Sequence, residues 1–390
     1  MNALTAIPDP RRFADPDLAA PGAQALYAKV AASLSADTAL VGAKLDREVQ
    51  DALAAELGAG GDVLAATIAG APSVDVARHL WRLLDAAVRE WHCDDGVAAT
   101  IFAIPLVIVA AGNAEAGGPA LQGVLANPEG LADILRDGGA LAGNRNFALA
   151  SALVGADAIE VARVPELLSW QRLPNEAGGE FQQTAMERTL QPAPLAIVPD
   201  VESVNLRFIM GTALARAGAD LLADTKVGKW GMPFAQALGR EFGQGGATVL
   251  ALPRAPQRPL PALWQGRLAQ REVSASLFIG NAVRKHRASV GEPTAVISAH
   301  RVPGVPGEGE LRLSISSPLE PRDAEGFRCP LYPLDRVADA VRMLVDLLND
   351  CQVDDVRMLA GVHGDRDPKS GVRLLFKPET IPPGAELLVH

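Results

Sequence analysis

The stretch Ala99 to Val109, ATIFAIPLVIV, restricts the folds open to this chain more than any other segment. A run this apolar must leave water, and its short length and β-branched content favour a buried strand over a helix. Extended to Val97 to Ala111 it is still the longest membrane candidate, yet it holds Thr100 and Pro105 and falls short of the ~20 residues that a bilayer requires. The chain is therefore expected not to cross a membrane. Pro105 has no N–H to give to a sheet ladder, so a bulge or an edge position is predicted within the strand.

Elements of ordinary length surround this run. Val74 to Trp91 is predicted helical, with Ser73 as N-cap, Asp75 in the first turn, and Val76, Leu80, Leu83, Leu84 and Ala87 as its apolar stripe. Gly130 to Asp137 and Ile159 to Trp170 read as helices, with a strand at Phe147 to Val154 between them. Farther on, strands at Ser203 to Gly211, Ala247 to Leu252, Thr294 to Val302 and Glu310 to Ser316 are interspersed with helices at Pro233 to Phe242, Pro261 to His286 and Arg336 to Asn349, before a hairpin from Val356 to Phe376. The helix after Asp335, its predicted N-cap, is the most clearly patterned. Val337, Val341, Leu344, Val345 and Leu348 fall on one face, and Arg336, Asp339, Arg342 and Asp346 on the other. Composition divides the chain into a loosely attached arm (1–20), an acidic α/β lobe (21–173), a Pro- and Gly-rich connection (174–200), and a second α/β lobe with a C-terminal addition (201–390).

Ala99 to Pro105 (ATIFAIP) matches Ala247 to Pro253 (ATVLALP) at an offset of 148 residues, and the same offset carries Phe147 to Val154 onto Ala295 to Val302. Chance in an Ala-rich chain is one account. The other is a duplicated helix–strand–helix–strand unit, which would place any ligand site between its copies. The fold class expected is α/β in the broad sense (mixed α+β), as two such lobes followed by a β-α-β-hairpin addition.

The formal charge of −10 arises entirely before residue 201, where 25 Asp and Glu face 13 Lys and Arg; the remainder carries 21 against 23. Without a basic excess the chain lacks the electrostatic footprint of nucleic-acid or anionic-membrane binding. Three cysteines, Cys93, Cys329 and Cys351, spell neither a disulfide framework nor a zinc ribbon, and a reducing, cytoplasmic compartment is expected. Met1 to Arg12 lack a basic patch followed by an apolar stretch, so a secretory leader is not expected. An apolar content of 48%, with 4% aromatics, points to close-packed elements rather than wide aromatic pockets.

The candidate chemistry is sparse. Gly112 to Pro119 (GNAEAGGP) follows a strand as a phosphate loop does, but Gly118 and Pro119 stand where Lys and Ser or Thr are needed, and a surface turn is the simpler account. Gly239 to Gly246 follows a helix and reads as its C-cap. His92 to Asp95 (HCDD) gathers metal-capable side chains that point in different directions. In His363-Gly364-Asp365-Arg366-Asp367, the residues His363, Asp365 and Asp367 alternate as a hard-cation site or a positioned base would, or as an ordinary hairpin loop does. Arg284, Lys285 and Arg287 close the long helix and His300 and Arg301 end the next strand; together they form an anion pocket or simply a solvated face. There is no Gly-x-Ser-x-Gly elbow, and no cofactor is implied.

In the stretches ATIFAIPLVIVA, NRNFALASAL and CPLYPLD the chain resembles conserved proteobacterial proteins to which no function is assigned, so the resemblance implies no site. The function expected from the residues is that of a non-catalytic cytoplasmic assembly or regulatory protein, working through a protein partner or self-association and binding neither nucleic acid nor membrane. The alternative is an enzyme or small-anion-binding protein with a site between the two lobes.

Overall fold

The computed structural model describes residues 7, 9–11, 20–58, 60–89, 96–112, 122–171, 186–197, 201–216, 219–222, 226–243, 247–289, 291–302, 309–317, 320–366, 373–376 and 387–389. Its helices are α1 (Ala23–Leu34), α2 (Ala39–Glu56), α3 (Gly61–Ala69), α4 (Val74–Arg89), α5 (Pro128–Asp137), α6 (Val164–Gln171), α7 (Gly231–Phe242), α8 (Pro259–Ser289) and α9 (Val337–Asp350). Its strands are β1 (Val97–Ala111), β2 (Phe147–Val154), β3 (Ser203–Arg216), β4 (Thr248–Pro253), β5 (Thr294–Arg301), β6 (Gly309–Ser317), β7 (Glu320–Leu331), β8 (Asp355–His363) and β9 (Leu387–Val389). The mixed α/β class is as expected. No described helix is long and apolar enough to cross a membrane.

Two compact units result, one from residues 46–65 and 82–270 and one from 1–45, 66–81 and 271–390. The chain thus does not divide at the 174–200 connection, because β3, which follows that segment, lies between β2 and β1 in a single sheet.

That sheet belongs to the 46–65/82–270 unit and runs β2-β3-β1-β4, with every pairing antiparallel. The apolar run is β1. Fourteen of its residues pair with β3 without interruption, from Val97↔Arg216 to Ala110↔Ser203. One face sends Phe102, Ile104, Leu106, Ile108 and Ile209 into a core shared with Leu131 and Leu135 of α5 and Phe234, Leu238 and Phe242 of α7. Phe102 lies opposite Gly211, and a Cβ there would stand 2.3 Å from its ring, so only glycine leaves room for the aromatic. On the other face Gly266 of α8 lets the helix backbone close on Leu206 and Phe208.

Pro105 is tolerated in this interior strand because of the direction it faces. The pairs Leu106↔Pro253 to Ala111↔Thr248 end beside it, Arg254 N donates to its carbonyl at 2.8 Å, and the next contact, Ala103 with Gln257, is shifted by one residue. The missing donor points to this irregularity and not to the continuous β3 ladder. A proline at a break in pairing, as predicted, is what the structure has.

The duplication is not. The two segments related by the offset, β1 and β4, are hydrogen-bonded neighbours in one sheet, while β2 pairs with β3 and β5 pairs with β6 and β8. A repeat requires each second strand to hold the same place against its own first strand. The shared A-T-x-x-A-x-P pattern instead meets one local demand twice: an apolar strand whose proline sits where ladder bonding stops. The helix expected from Ile159 also starts later. Two 3₁₀ turns, Ala156–Ile159 and Val161–Arg163, precede α6, whose Pro165 cannot accept a helical turn before it.

The other unit holds the sheet β7-β6-β5-β8-β9, with β5 and β8 parallel and the other neighbours antiparallel. Ala295, Ile297 and Ala299 of β5 and Leu311, Leu313 and Ile315 of β6 face one core with Ala275, Ile279 and Val283 of α8. The apolar stripe of α9 packs there as its pattern predicted, Val337, Val341, Leu344, Val345 and Leu348 all being buried.

The N-cap of α9 is corrected. Arg336 holds that position without a side-chain cap, because the Asp335 carboxylate is drawn inward. Its Oδ2 accepts from Arg271 Nη1 at 2.5 Å and from Tyr332 N at 2.8 Å. The N-terminal arm is corrected too, for Ile7 joins the core and the buried Arg11 donates to the carbonyls of Tyr332 and Asp335, at 2.5 and 2.6 Å, while pairing with Asp9.

Leu344→Asp is expected to cost several kcal/mol in urea unfolding, since it forces a carboxylate into this core, whereas Asp346→Ala on the exposed face stays within about 0.5 kcal/mol. Asp335→Ala strands a buried guanidinium and is expected to cost about 3–5 kcal/mol in the same measurement.

Candidate functional site

The five-stranded sheet has a second face, and it is polar and buried. Alternation puts Ser298 and His300 of β5, and Glu310, Arg312, Ser314 and Ser316 of β6, opposite the apolar core, yet all six are shielded from solvent. Described residues following β8 form part of the cover. Arg312 Nη1 donates to the carbonyls of Asp365 and Leu374, at 2.7 Å each, and Nη2 to the Asp365 carboxylate; Ser314 Oγ donates to the Phe376 carbonyl. Phe376 itself is buried and packs with Val296 and Leu359.

Glu310 makes the charge tolerable. Arg312 lies opposite Arg328 in the β6–β7 register, and the Glu310 carboxylate divides between them, Oε1 to Arg312 Nε and Oε2 to Arg328 Nε at 2.6 Å each. Asp365 takes the far side of Arg312, with Arg366 and Arg373 each 3.6 Å from its oxygens. Burial raises the Asp365 pKa, but its hydrogen bond and charge contacts with Arg312 prevail, with Arg373 and Arg366 adding, and the group stays below its ordinary value.

A bulge brings the histidines together. Between β5 and β8 the register slips from Ile297↔Met358 to Ala299↔Val362, and Gly361 takes the turn with φ +101°, a conformation that favours glycine. His363 thereby arrives opposite His300, with ring centroids 5.6 Å apart, and Phe376 lies 5.9 Å from His300 and 4.5 Å from His363.

The bonds of His300 define its tautomer. Gly364 O, 2.9 Å from Nδ1, can only accept, so Nδ1 carries the proton and Nε2 accepts from the Ser298 hydroxyl at 2.8 Å. Burial pushes its pKa down to about 4; Arg312 and His363 add to the fall, and the Gly364 carbonyl and Glu310 oppose it. Burial also lowers His363, whose Nε2 has no hydrogen-bond partner among the described residues. Ser298, His300 and a carbonyl are bonded in the order of nucleophile, base and orienting group. However, a base is most useful when it titrates near the working pH, and both side chains are enclosed.

Among the sequence candidates, the structure therefore brings together His300, His363 and Asp365. It engages the helix-end cations elsewhere. Lys285 pairs with Glu325 at 2.5 Å, Arg287 with Glu292 at 3.2 Å and with the Gln352 carbonyl at 2.7 Å, and Arg284 contacts Asn281 at 3.3 Å. Arg301, at the end of β5, is exposed. Asp367, His92 to Asp95 and residues 113–119 of the glycine-rich loop lie outside the described residues. Gly243 caps α7, its N–H reaching Gly239 O at 2.8 Å, as read for that segment. The expected hairpin is confined to its tip: β8 ends at His363, and Leu374 N donates to Asp365 O at 3.0 Å beside an Arg366–Arg373 bridge.

Ser298, Glu310 and Arg312 were not singled out from sequence. Cys329 was noted only as a cysteine; it is buried, and desolvation pushes its thiol up to about 12, far from a reactive thiolate. Among the described residues no group of three or more His, Cys, Asp or Glu is arranged to hold a metal ion. Comparisons with protein-family models, curated proteins and solved structures return no match.

Arg312→Met leaves Glu310 and Asp365 without their shared cation, and a loss of about 3–5 kcal/mol in chemical denaturation is expected. Arg328→Ala, which removes a half-exposed partner, is expected to cost under about 1 kcal/mol.

Proposed function

We propose that the protein is a non-catalytic, cytoplasmic assembly or regulatory component that works through protein–protein contact, with a second copy of this chain as the partner. The observation that carries this reading is the turn joining α1 and α2, where Leu34, Leu40 and Val41 are 49%, 82% and 53% exposed. Aliphatic side chains grouped at one surface are better satisfied by another surface than by water. The segment favours its own copy, because residues 31–45 carry a single acid, Asp37, and a single base, Lys44, so two such turns meet without the repulsion of a chain bearing −10 overall.

The site chemistry supports the same reading. Catalysis or anion binding would call on the His300 imidazole or the Arg312 guanidinium, and both are committed to bonds with Gly364, Asp365 and Leu374. Light scattering across a wide range of concentrations is expected to show a mass rising toward that of a dimer. Leu40→Asp is expected to weaken this association at least tenfold, about 1.4 kcal/mol. A constant monomer mass, or an equal affinity in the variant, removes the reading.

A further inference from the structure

We propose that residues 364–366 and 373–376 form an acid-released strap over the polar face of β5 and β6, with the His300–His363 pair as its trigger. The inference stands apart from the self-association reading and does not depend on it.

The strap is held by polar bonds. Gly364 O accepts from His300, Asp365 and Leu374 accept from Arg312, and Phe376 O accepts from Ser314. The Phe376 ring closes over both imidazoles. A proton added to His300 goes to Nε2, which then becomes a donor, so the Ser298 hydroxyl must turn round and accept; its own proton is left with the Arg312 carbonyl at 3.5 Å. His363 Nε2 is buried with no partner among the described residues, so a cation on this ring has no described acceptor there.

The charges facing the pair decide the sign. Arg312 of β6 and the neighbouring imidazole oppose a cation on His300, and Glu310 of β6 favours one. That carboxylate is already shared by Arg312 and Arg328, and Asp365 on the strap is held by Arg312 with Arg366 and Arg373 beside it. Protons are thus rejected while the strap is down and accepted once water reaches the rings.

The closed strap holds His300 at about 4 against an ordinary value of 6.5. A group lowered in the closed form favours closure fully above the open-state value and loses that contribution as pH falls toward the closed-state value, so the window is about pH 6.5 to 4. The titration of Asp365, lowered from 3.8, lies below it.

Hydrogen exchange on the full chain, corrected for the intrinsic pH dependence, tests this. The amide of Leu374, bonded to Asp365 O, reports the strap, and the β1–β3 ladder serves as the internal standard. Between about pH 7.5 and 4.5 the protection of the 373–376 peptide is expected to fall on the order of fiftyfold to a hundredfold, while the β1–β3 peptides keep theirs. In His300→Gln the fall is expected to shrink to the part that His363 supplies, and in His363→Phe, a change at a less buried position, to shrink by less. Protection that is constant with pH, loss shared with β1–β3, or an unchanged profile in His363→Phe overturns the proposal, whether or not His300→Gln folds.

Discussion

The arrangement of the five-stranded sheet depends on one guanidinium. β6 is buried on both faces but apolar on only one, and Arg312 makes the polar face compatible with burial. Its donors are divided among a carboxylate on its own strand, a carboxylate after β8 and two main-chain carbonyls. An isolated charge there would be prohibitive, and a single ion pair would barely recover its desolvation cost. Arg312 avoids both outcomes by making cover and sheet part of one hydrogen-bonded network. The cover is therefore specified by polar geometry, with Phe376 and Leu374 supplying a small apolar contact at its margin.

This explains why the site was largely hidden in the sequence. Glu310, Arg312, Ser314 and Ser316 alternate with Leu311, Leu313 and Ile315, which is the signature of a strand with one face in the core and one in water. Nothing local distinguishes a polar face that meets solvent from one that meets another stretch of main chain. His300, His363 and Asp365 were legible as chemistry-bearing residues, but their meeting depends on the parallel pairing of β5 with β8 and on the slip at Gly361. The cations at the end of α8 are adjacent in sequence, which reads as an anion pocket, but adjacency on a helix end gives them separate surface partners.

The fold was more legible where a single pattern determines an element. The stripe of α9 and the apolar run of β1 each carry their own instructions. Asp335 shows the limit of such reasoning. An aspartate before a helix is a sound cap by local rules, but a buried arginine 64 positions away competes for the same oxygen and wins it. The 148-residue match fails for a related reason: two strands can share a local solution to the proline problem without sharing ancestry or position.

The discontinuity of the second unit bears on the order in which the molecule is made. Arg11 emerges from the ribosome well before the Asp335 carbonyl that receives it, which lies 324 residues downstream. All four strands of the β2-β3-β1-β4 sheet have been synthesised by residue 253. The five-stranded sheet cannot begin to pair before β5 and β6 exist, and its parallel β5–β8 ladder waits for residue 355 or later. Synthesis therefore imposes a sequence on folding: one unit is able to form while the chain is still growing, and residues 7 to 11 of the other must be kept from misuse until Asp335 has followed them.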